Sequence, residues 1–262
     1  MSTDCIVTHD LNCGYGKLPV VRNINIRVCE GEVVALLGPN GAGKTTTLLT
    51  LSRLLPILGG EAKILGHELG SIRGTGRLVR MGLGHVPEDR GLFRRLTPEQ
   101  HLRLAGGKDT SAYRFVLDLL PAIGPILHRR VGLLSGGEQQ MVALARSLIR
   151  RPKVLLIDEM STGLAPLIVS SLLKTVRELA DEQGVGILMV EQHSELALKI
   201  ADRAYVMGHG HIVDEDSGSV LLQDRKRLEA AYLGDAPLDL IPAPTGTPAD
   251  ATNHKGDAWQ PQ

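Results

Sequence analysis

Three short apolar runs stand out in the pattern of hydrophobic and polar positions along the chain. They cover residues 33–37, 154–157 and 187–190, and glycine or charged residues bound each of them. Continuous apolar runs of this length are typical of strands buried on both faces, and each is followed by a segment that can form a helix. This alternation predicts an α/β fold with a parallel sheet and with ligand sites at the carboxyl ends of its strands.

Two further regions carry different patterns. Near the N-terminus, CIVTHDLNCGYG and NINIRVCEGE alternate apolar and polar residues, which predicts antiparallel strands with one solvated face. Later, LTPEQHLRLAGG, SAYRFVLDLLPAI and GGEQQMVALARSLIR indicate short helices with no strand between them. We therefore expect one domain over residues 1–234, with a helical subdomain inserted at approximately 88–150.

The composition changes after residue 234. The last segment, DAPLDLIPAPTGTPADATNHKGDAWQPQ, is rich in proline, alanine, threonine and aspartate. Because it can bury little apolar surface to offset its chain entropy, we expect residues 235–262 to form a disordered tail.

Composition also bears on partners and compartment. Lys and Arg (29) balance Asp and Glu (29), and only 3% of residues are aromatic, so we expect no nucleic-acid partner. The three cysteines show no C-x-x-C spacing, which indicates free thiols in a reducing compartment. The first residues do not form a signal peptide, and no apolar run approaches the roughly 20 residues of a membrane span. We expect no transmembrane segment.

A phosphate-binding motif follows the first apolar run. GPNGAGKT matches G-x-x-x-x-G-K-[ST] between a predicted strand and a predicted helix, which is the context that the motif requires. We predict that its N–H groups bind phosphate oxygens, that Lys44 adds positive charge and that the Thr45 hydroxyl binds Mg²⁺. The predicted nucleotide-binding residues of this loop are Gly38, Pro39, Asn40, Gly41, Ala42, Gly43, Lys44, Thr45 and Thr46.

Two carboxylates follow the second apolar run. Asp158 and Glu159 end the segment VLLIDE, so they emerge at the carboxyl edge of the sheet, near the phosphate loop. We predict that Asp158 binds Mg²⁺, directly or through water, and that Glu159 is the general base for the attacking water. The loop and the acidic pair alone fit kinases, GTPases and many ATPases.

A second anion-binding turn decides among these classes. In LLSGGEQQMVALAR, Ser135, Gly136 and Gly137 open a predicted helix. The turn offers free N–H groups, a hydroxyl and roughly half a positive charge at the helix N-terminus. These features favour the binding of an anion. The turn lies in the helical subdomain, remote from the phosphate loop of its own chain. We therefore expect two chains to pair head to tail, with each turn closing over the γ-phosphate bound by the other.

The segment LSGGEQQ, followed by IDE, resembles the signature of ATP-binding cassette (ABC) ATPases, and the similarity covers residues 5–234. The resemblance implies a P-loop NTPase fold with a RecA-like mixed sheet, an antiparallel β edge and an α-helical subdomain. It implies that Glu138 joins the nucleotide-contacting signature, that His193 is a catalytic contact to the γ-phosphate and that Tyr15 stacks on adenine. A turn tyrosine without a ligand is the alternative for Tyr15. STGLAP resembles the loop that communicates between the two sites.

Three residues depart from the ABC pattern. Glu88 stands where most members have a glutamine that touches Mg²⁺ and the membrane partner. Its carboxylate is a hard donor for Mg²⁺, but it adds negative charge near the γ-phosphate. Ala165 replaces an aspartate of the communicating loop, and Met160 replaces the proline that usually follows the catalytic glutamate.

The segments VPEDRGLFRRLTPEQHL and STGLAPLIV most resemble the second ATPase subunit of branched-chain amino acid importers, the LivF type. The resemblance implies a second ABC ATPase subunit, identical or paralogous, together with membrane-spanning permease subunits and, indirectly, a solute-binding protein. It also implies a peripheral position at the cytoplasmic face of the cell membrane. The alternatives are a urea importer, a lipopolysaccharide-type exporter, and a soluble ABC ATPase for cofactor assembly.

Overall fold

The computed structural model describes residues 3–192 and 194–233. Its strands are β1 (Asp4–Tyr15), β2 (Leu18–Ile24), β3 (Arg27–Cys29), β4 (Val33–Leu37), β5 (Ile57–Ile64), β6 (His67–Glu68), β7 (Leu83–Val86), β8 (Val154–Asp158), β9 (Gly186–Glu191), β10 (Arg203–Gly208) and β11 (His211–Ser217). Its α-helices are α1 (Lys44–Leu51), α2 (Thr75–Met81), α3 (Pro98–Gly106), α4 (Thr110–Leu119), α5 (Gly136–Leu148), α6 (Pro166–Gln183), α7 (Ser194–Leu198), α8 (Gly218–Gln223) and α9 (Arg225–Leu233).

The central sheet brings the phosphate loop and the acidic pair Asp158 and Glu159 to the same edge. Its strand order is β11-β10-β4-β9-β8-β7, and all neighbours are parallel except β10 and β11. The three apolar runs form β4, β9 and β8, as predicted, and every residue of these strands is buried. Leu37 pairs with Glu191, and Asp158 pairs with Val190, so the three strands end together. The phosphate loop after β4 therefore lies at the same sheet edge as the acidic pair after β8.

Both faces of the central sheet are covered, which explains the continuous apolar runs. Along β4, Val34 and Leu36 pack in a cluster with the antiparallel sheet, whereas Val33, Ala35 and Leu37 pack in a cluster with the helices. The antiparallel sheet has the order β2-β1-β5-β6, with β3 also paired to β1. This arrangement confirms the antiparallel edge expected from the N-terminal alternation.

The chain between β7 and β8 is helical, and its sequence signals mark where the helices begin. Thr97 caps α3 in a capping box with Gln100, and Pro98 occupies the first helical turn. Asp109 caps α4 through the N–H groups of residues 111 and 112, and Ser135 caps α5. The three helices predicted for this segment are present. The limits 88–150 for a subdomain and 1–234 for the domain stay predictions.

Two expectations fall on residues that are not described. The predicted tail over residues 235–262 lies outside the described residues, and so does His193. Across 3–192 and 194–233, no helix has the length and apolar character that a membrane span requires.

Candidate active site

The phosphate loop connects β4 to α1 and depends on glycine at its two ends. Gly38 has a φ of +149° and Gly43 a φ of +106°, values that residues with a side chain rarely adopt. A Cβ atom on Gly38 would lie 2.4 Å from Met207 O, and one on Gly43 would lie 2.3 Å from Val21 Cγ2. The loop therefore packs closely against β10 at Gly38 and against β2 at Gly43.

Lys44 is buried within this loop, with 5% of its surface exposed. Its Nζ donates hydrogen bonds to Gly38 O at 2.8 Å and to Pro39 O at 3.1 Å. Burial lowers the pKa of Lys44, whereas nearby negative charges favour its protonated form. Those charges belong to Glu159, Asp158, Glu191 and Glu88. The charges of four carboxylates thus act on one ammonium group at the end of the sheet.

Asp158 and Thr45 bring two hard oxygen donors together. Thr45 Oγ1 donates to Asp158 Oδ1 at 3.2 Å, and Asp158 is only 2% exposed. Burial, as the largest cause, and the charges of Glu88 and Glu159 together raise the pKa of Asp158 to about 6, although the hydrogen bond from Thr45 and the charge of Lys44 lower it. Oxygen donors with excess negative charge are the ligands that Mg²⁺ prefers, so the residues present fit this ion.

Glu159 occupies an unusual backbone conformation directly after β8. Its φ is +45°, in the left-handed region, which costs a non-glycine residue free energy unless the surroundings hold it there. Its N–H donates to Val190 O at 3.0 Å, and Thr162 Oγ1 donates to Glu159 Oε2 at 3.2 Å. The carboxylate is half-buried and oriented by a hydroxyl.

A buried carboxylate that the sequence pattern did not single out lies beside Glu159. Glu191 ends β9 with 1% of its surface exposed. It accepts hydrogen bonds from Met160 N at 3.0 Å, from Ser161 N at 3.1 Å and from Ser161 Oγ at 2.5 Å. Burial raises the pKa of Glu191, although these three hydrogen bonds each lower it. A charged residue at the end of an otherwise apolar run was the signal that could have identified it.

The signature turn forms the N-terminus of α5, as its sequence predicts. Ser135 Oγ accepts from Glu138 N at 3.3 Å, and Glu138 Oε2 accepts from Ser135 N at 2.7 Å. This capping box leaves the N–H groups of Gly136 and Gly137, which lie in the first turn, without an intrahelical acceptor. A Cβ on Gly137 would lie 2.8 Å from Ile168 Cγ2, so glycine lets α6 approach.

The remaining predicted site residues are placed as follows. Tyr15 ends β1 beside the hairpin to β2 and is 53% exposed. Glu88 follows β7, which ends beside β8 because Val86 pairs with Ile157, and its charge acts on both Lys44 and Asp158. Among the described residues, no hydrogen bond or ion pair joins the signature turn to the phosphate loop of the same chain.

A protein-family model described as ABC transporter matches residues 21–162, which is more than half of the chain. The chain belongs to the ABC transporter family.

This ABC transporter chain is similar to two curated relatives and to one solved structure. It is 41% identical over 225 residues to the high-affinity branched-chain amino acid transport ATP-binding protein BraG of Pseudomonas aeruginosa, covering 84% of this chain and 95% of the relative. It is 33% identical over 237 residues to the lipopolysaccharide export system ATP-binding protein LptB of Haemophilus influenzae, and this match covers 88% of this chain and 97% of the relative. A solved structure of an ATP-binding subunit of an ABC transporter superposes with a TM-score of 0.74 at 28% identity, covering 88% and 97%.

These matches confirm the predicted fold class, the ABC ATPase resemblance and the assignment of the chain as an ATP hydrolase. The roles of the individual site residues stay predictions.

Two of the departures from the ABC pattern now have a structural context in this ABC transporter chain. The Met160 N–H, which a proline lacks, is bound by Glu191. Ala165 is the N-cap residue of α6 and offers no side-chain acceptor, where an aspartate would cap the helix.

The buried charge of Asp158 predicts a pH-dependent gain in stability for Asp158→Asn in this ABC transporter chain. Because the folded-state pKa is about 6 and the ordinary value is 3.8, the folded state binds this proton more readily than the unfolded state. The charge therefore destabilises the fold above about pH 6, and stability returns as the pH falls through that value. Without nucleotide or metal, we expect Asp158→Asn to raise the free energy of unfolding at about pH 8 by about 1–3 kcal/mol.

Urea denaturation at several pH values measures this effect. The advantage of Asp158→Asn shrinks as the pH falls from about 6 towards 4. Glu61→Gln, which removes an exposed carboxylate from β5, is the control and leaves stability unchanged. A variant that is less stable than the wild type at about pH 8 contradicts the expected penalty for burying this charge.

Proposed function

We propose that this chain is the ATP-hydrolysing subunit of an importer for branched-chain or other hydrophobic amino acids. The observation that carries the proposal is the 41% identity to BraG over 95% of that relative. The 33% identity to LptB keeps a lipopolysaccharide-type exporter as the second candidate. The segments VPEDRGLFRRLTPEQHL and STGLAPLIV favour the importer.

The phosphate loop binds the β- and γ-phosphates of ATP. Its backbone N–H groups and the N-terminus of α1 face the phosphate oxygens, and Lys44 adds a positive charge among them. Tyr15, exposed beside the hairpin from β1 to β2, stacks on adenine. Thr45 and Asp158 hold Mg²⁺, with Glu88 as a further oxygen donor, directly or through water. Held there, Mg²⁺ would supply positive charge against the negative charge on the phosphate oxygens.

Glu159 activates the water that attacks the γ-phosphate. Its Oε2 accepts from Thr162 Oγ1, which leaves Oε1 to take a hydrogen bond, and then the proton, from the water. His193 contacts the γ-phosphate from the segment that follows β9. Hydrolysis therefore draws on residues that follow β4 and β8, two strands that end at the same edge of the sheet.

Each nucleotide is enclosed by two chains. The N–H groups of Gly136 and Gly137 bind the γ-phosphate held by a second ABC ATPase subunit, which is a copy of this chain or a paralogue. Two observations support this pairing. The turn makes no hydrogen bond or ion pair to its own phosphate loop among the described residues, and two leucines, one two residues before Ser135 and one in the first turn of α6, are exposed. Leu133 is 72% and Leu167 is 85% exposed, as expected of an apolar surface that a partner covers.

The movements of the two ATPase subunits are coupled to membrane-spanning permease subunits. They dock at the segment after β7, where Phe93 is 64% exposed and follows Glu88 closely in the chain. With the permease bound in this way, the chain lies at the cytoplasmic face of the cell membrane, and a solute-binding protein acts on the permease from the other side. The solute is selected by the membrane and solute-binding subunits.

Solute uptake in cells that lack and then regain this chain tests the proposal. We expect uptake of Leu, Ile and Val to be lost and to return with the wild-type chain but not with Glu159→Gln. The chain should also co-purify with a polytopic membrane protein. Unchanged amino acid uptake, together with loss of urea uptake or of lipopolysaccharide export, would contradict the proposed solute. Recovery with soluble partners alone would contradict the transport role.

Glu88→Gln should alter the Mg²⁺ dependence of ATP hydrolysis without abolishing it. The substitution removes one negative charge that acts on Asp158 and Lys44, so the cation is held less strongly. We expect the Mg²⁺ concentration for half-maximal turnover to rise by about twofold to tenfold at a similar maximal rate. A Mg²⁺ titration of the variant beside Glu61→Gln measures the change. Identical titrations and identical transport rates would show that Glu88 has no role at this site.

A further inference from the structure

Glu191 is a buried carboxylate that the proposed function leaves without a role. It is 1% exposed, and it lies between the phosphate loop and the catalytic segment, because β9 is paired to β4 on one side and to β8 on the other. Burying a carboxylate is costly unless hydrogen-bond donors compensate for the lost water. The donors here all come from the two residues that follow Glu159.

The end of β9 accepts hydrogen bonds from three successive backbone N–H groups, those of residues 159, 160 and 161. Glu159 N donates to Val190 O at 3.0 Å, Met160 N to Glu191 Oε1 at 3.0 Å, and Ser161 N to Glu191 Oε1 at 3.1 Å. Ser161 Oγ adds a fourth bond, to Glu191 Oε2 at 2.5 Å. The backbone that carries Glu159 is therefore fixed on both sides of its Cα atom.

From this geometry we propose that Glu191 is a positioning residue for ATP hydrolysis, which holds Glu159 in place through Met160 and Ser161. The left-handed backbone of Glu159, with a φ of +45°, persists only if neighbouring contacts determine it, and the two amides bound by Glu191 come directly after it. Hydrogen bonds to a buried carboxylate are among the stronger ones in proteins, which suits this task.

Met160 and Glu191 act as a pair in this arrangement. Where a proline follows the catalytic glutamate, position 160 has no N–H to donate, and a carboxylate at position 191 would lose one of its three donors. The same carboxylate also ties two functional segments together. Ser161 begins the loop STGLAP, and Glu191 lies two residues before His193 in the chain.

Glu191→Gln tests the proposal, which rests on the role of Glu159 proposed above. Glutamine keeps the shape of the side chain but removes the charge, which weakens the hydrogen bonds to residues 160 and 161. We expect kcat to fall by about tenfold to 100-fold, because a base displaced by a fraction of an ångström transfers its proton poorly. The dissociation constant for ATP, measured with a fluorescent analogue, should stay unchanged.

Two further variants keep this test decisive. Ser161→Ala retains the charge of Glu191 and removes the hydrogen bond to Oε2, so it should also lower kcat. This variant carries the test if Glu191→Gln fails to fold. Glu178→Gln is the matched control, because its carboxylate forms a surface ion pair with Lys174 on α6 and such pairs contribute little. Full kcat in folded Glu191→Gln or Ser161→Ala, or equal losses of kcat and ATP affinity, would overturn the proposal.

A double-mutant cycle separates positioning from a general structural role. In a Glu159→Gln background the base is already absent, so adding Glu191→Gln should scarcely lower the residual single-turnover rate. If Glu191→Gln lowers the rate by the same factor in both backgrounds, it acts on the whole fold and the proposal is wrong. If Glu159→Gln alone leaves turnover unchanged, the proposed role of Glu159 fails instead, and the two failures are thus distinguished.

Discussion

Replacing Glu159 by glutamine should lower kcat for ATP hydrolysis by roughly 100-fold or more and leave ATP binding intact. The amide is the same size as the carboxylate, and its oxygen can still accept from Thr162 Oγ1, which lies 3.2 Å from Oε2 in the wild type. The backbone bond to Val190 is unaffected. The variant therefore loses only the group that takes a proton from water. Phosphate release and the binding of a fluorescent ATP analogue measure the two parts of this prediction.

The same variant should accumulate as an ATP-bound dimer. If hydrolysis reopens the paired chains, a variant that binds ATP without cleaving it stays closed, and size-exclusion chromatography in ATP should show the dimer. Glu61→Gln, which changes an exposed residue of the antiparallel sheet, should behave as the wild type. Wild-type turnover in Glu159→Gln would remove this residue from the role of general base.

The second large effect is expected for Gly136→Asp in the signature turn. A carboxylate there would repel the γ-phosphate that the N–H groups of Gly136 and Gly137 are proposed to bind, so kcat should fall by roughly 100-fold or more. The change should leave the fold intact. The atoms nearest to a Cβ at this position are Leu164 Cδ2 at 3.4 Å and Arg90 Nη2 at 3.5 Å, both at the ends of side chains, and an acidic residue suits the first turn of a helix.

Gly136→Ala is the matched control for this variant, because it adds a Cβ without a charge and should retain most of the turnover. ATP binding to the phosphate loop of the Gly136→Asp chain itself should be unchanged, since the turn serves the nucleotide of the neighbour. Steady-state hydrolysis and nucleotide binding, measured on the same preparations, give both values. Loss of ATP affinity in a monomeric preparation of Gly136→Asp would show that the turn acts on its own nucleotide.

The parts of this fold that local sequence patterns specify were the parts that could be predicted. Uninterrupted apolar runs indicated β4, β8 and β9, because strands covered on both faces leave no position for a solvated side chain. The phosphate loop was identifiable because its motif stands between a strand and a helix. Thr97 and Ser135 show the local signals that start α3 and α5, since each forms a capping box within four residues.

What could not be predicted depends on contacts between distant segments. The role of Glu191 became visible only when its donors were known, and these lie about 30 positions earlier, across a strand pairing. The significance of Met160 followed from the same contact. The left-handed backbone of Glu159 is likewise imposed by neighbours rather than by residue preference. The departure at Ala165 was visible in the sequence, but its position as the N-cap residue of α6 became visible only in the structure.

The most direct test of catalysis across two chains is the turnover per chain of the wild-type protein as a function of its concentration. Sedimentation velocity at the same concentrations gives the fraction of dimer. We predict that turnover falls with dilution in parallel with that fraction and vanishes where the chain is monomeric, because the γ-phosphate then lacks the N–H groups of Gly136 and Gly137 from a neighbour. Undiminished turnover by a strictly monomeric preparation would contradict the shared active site.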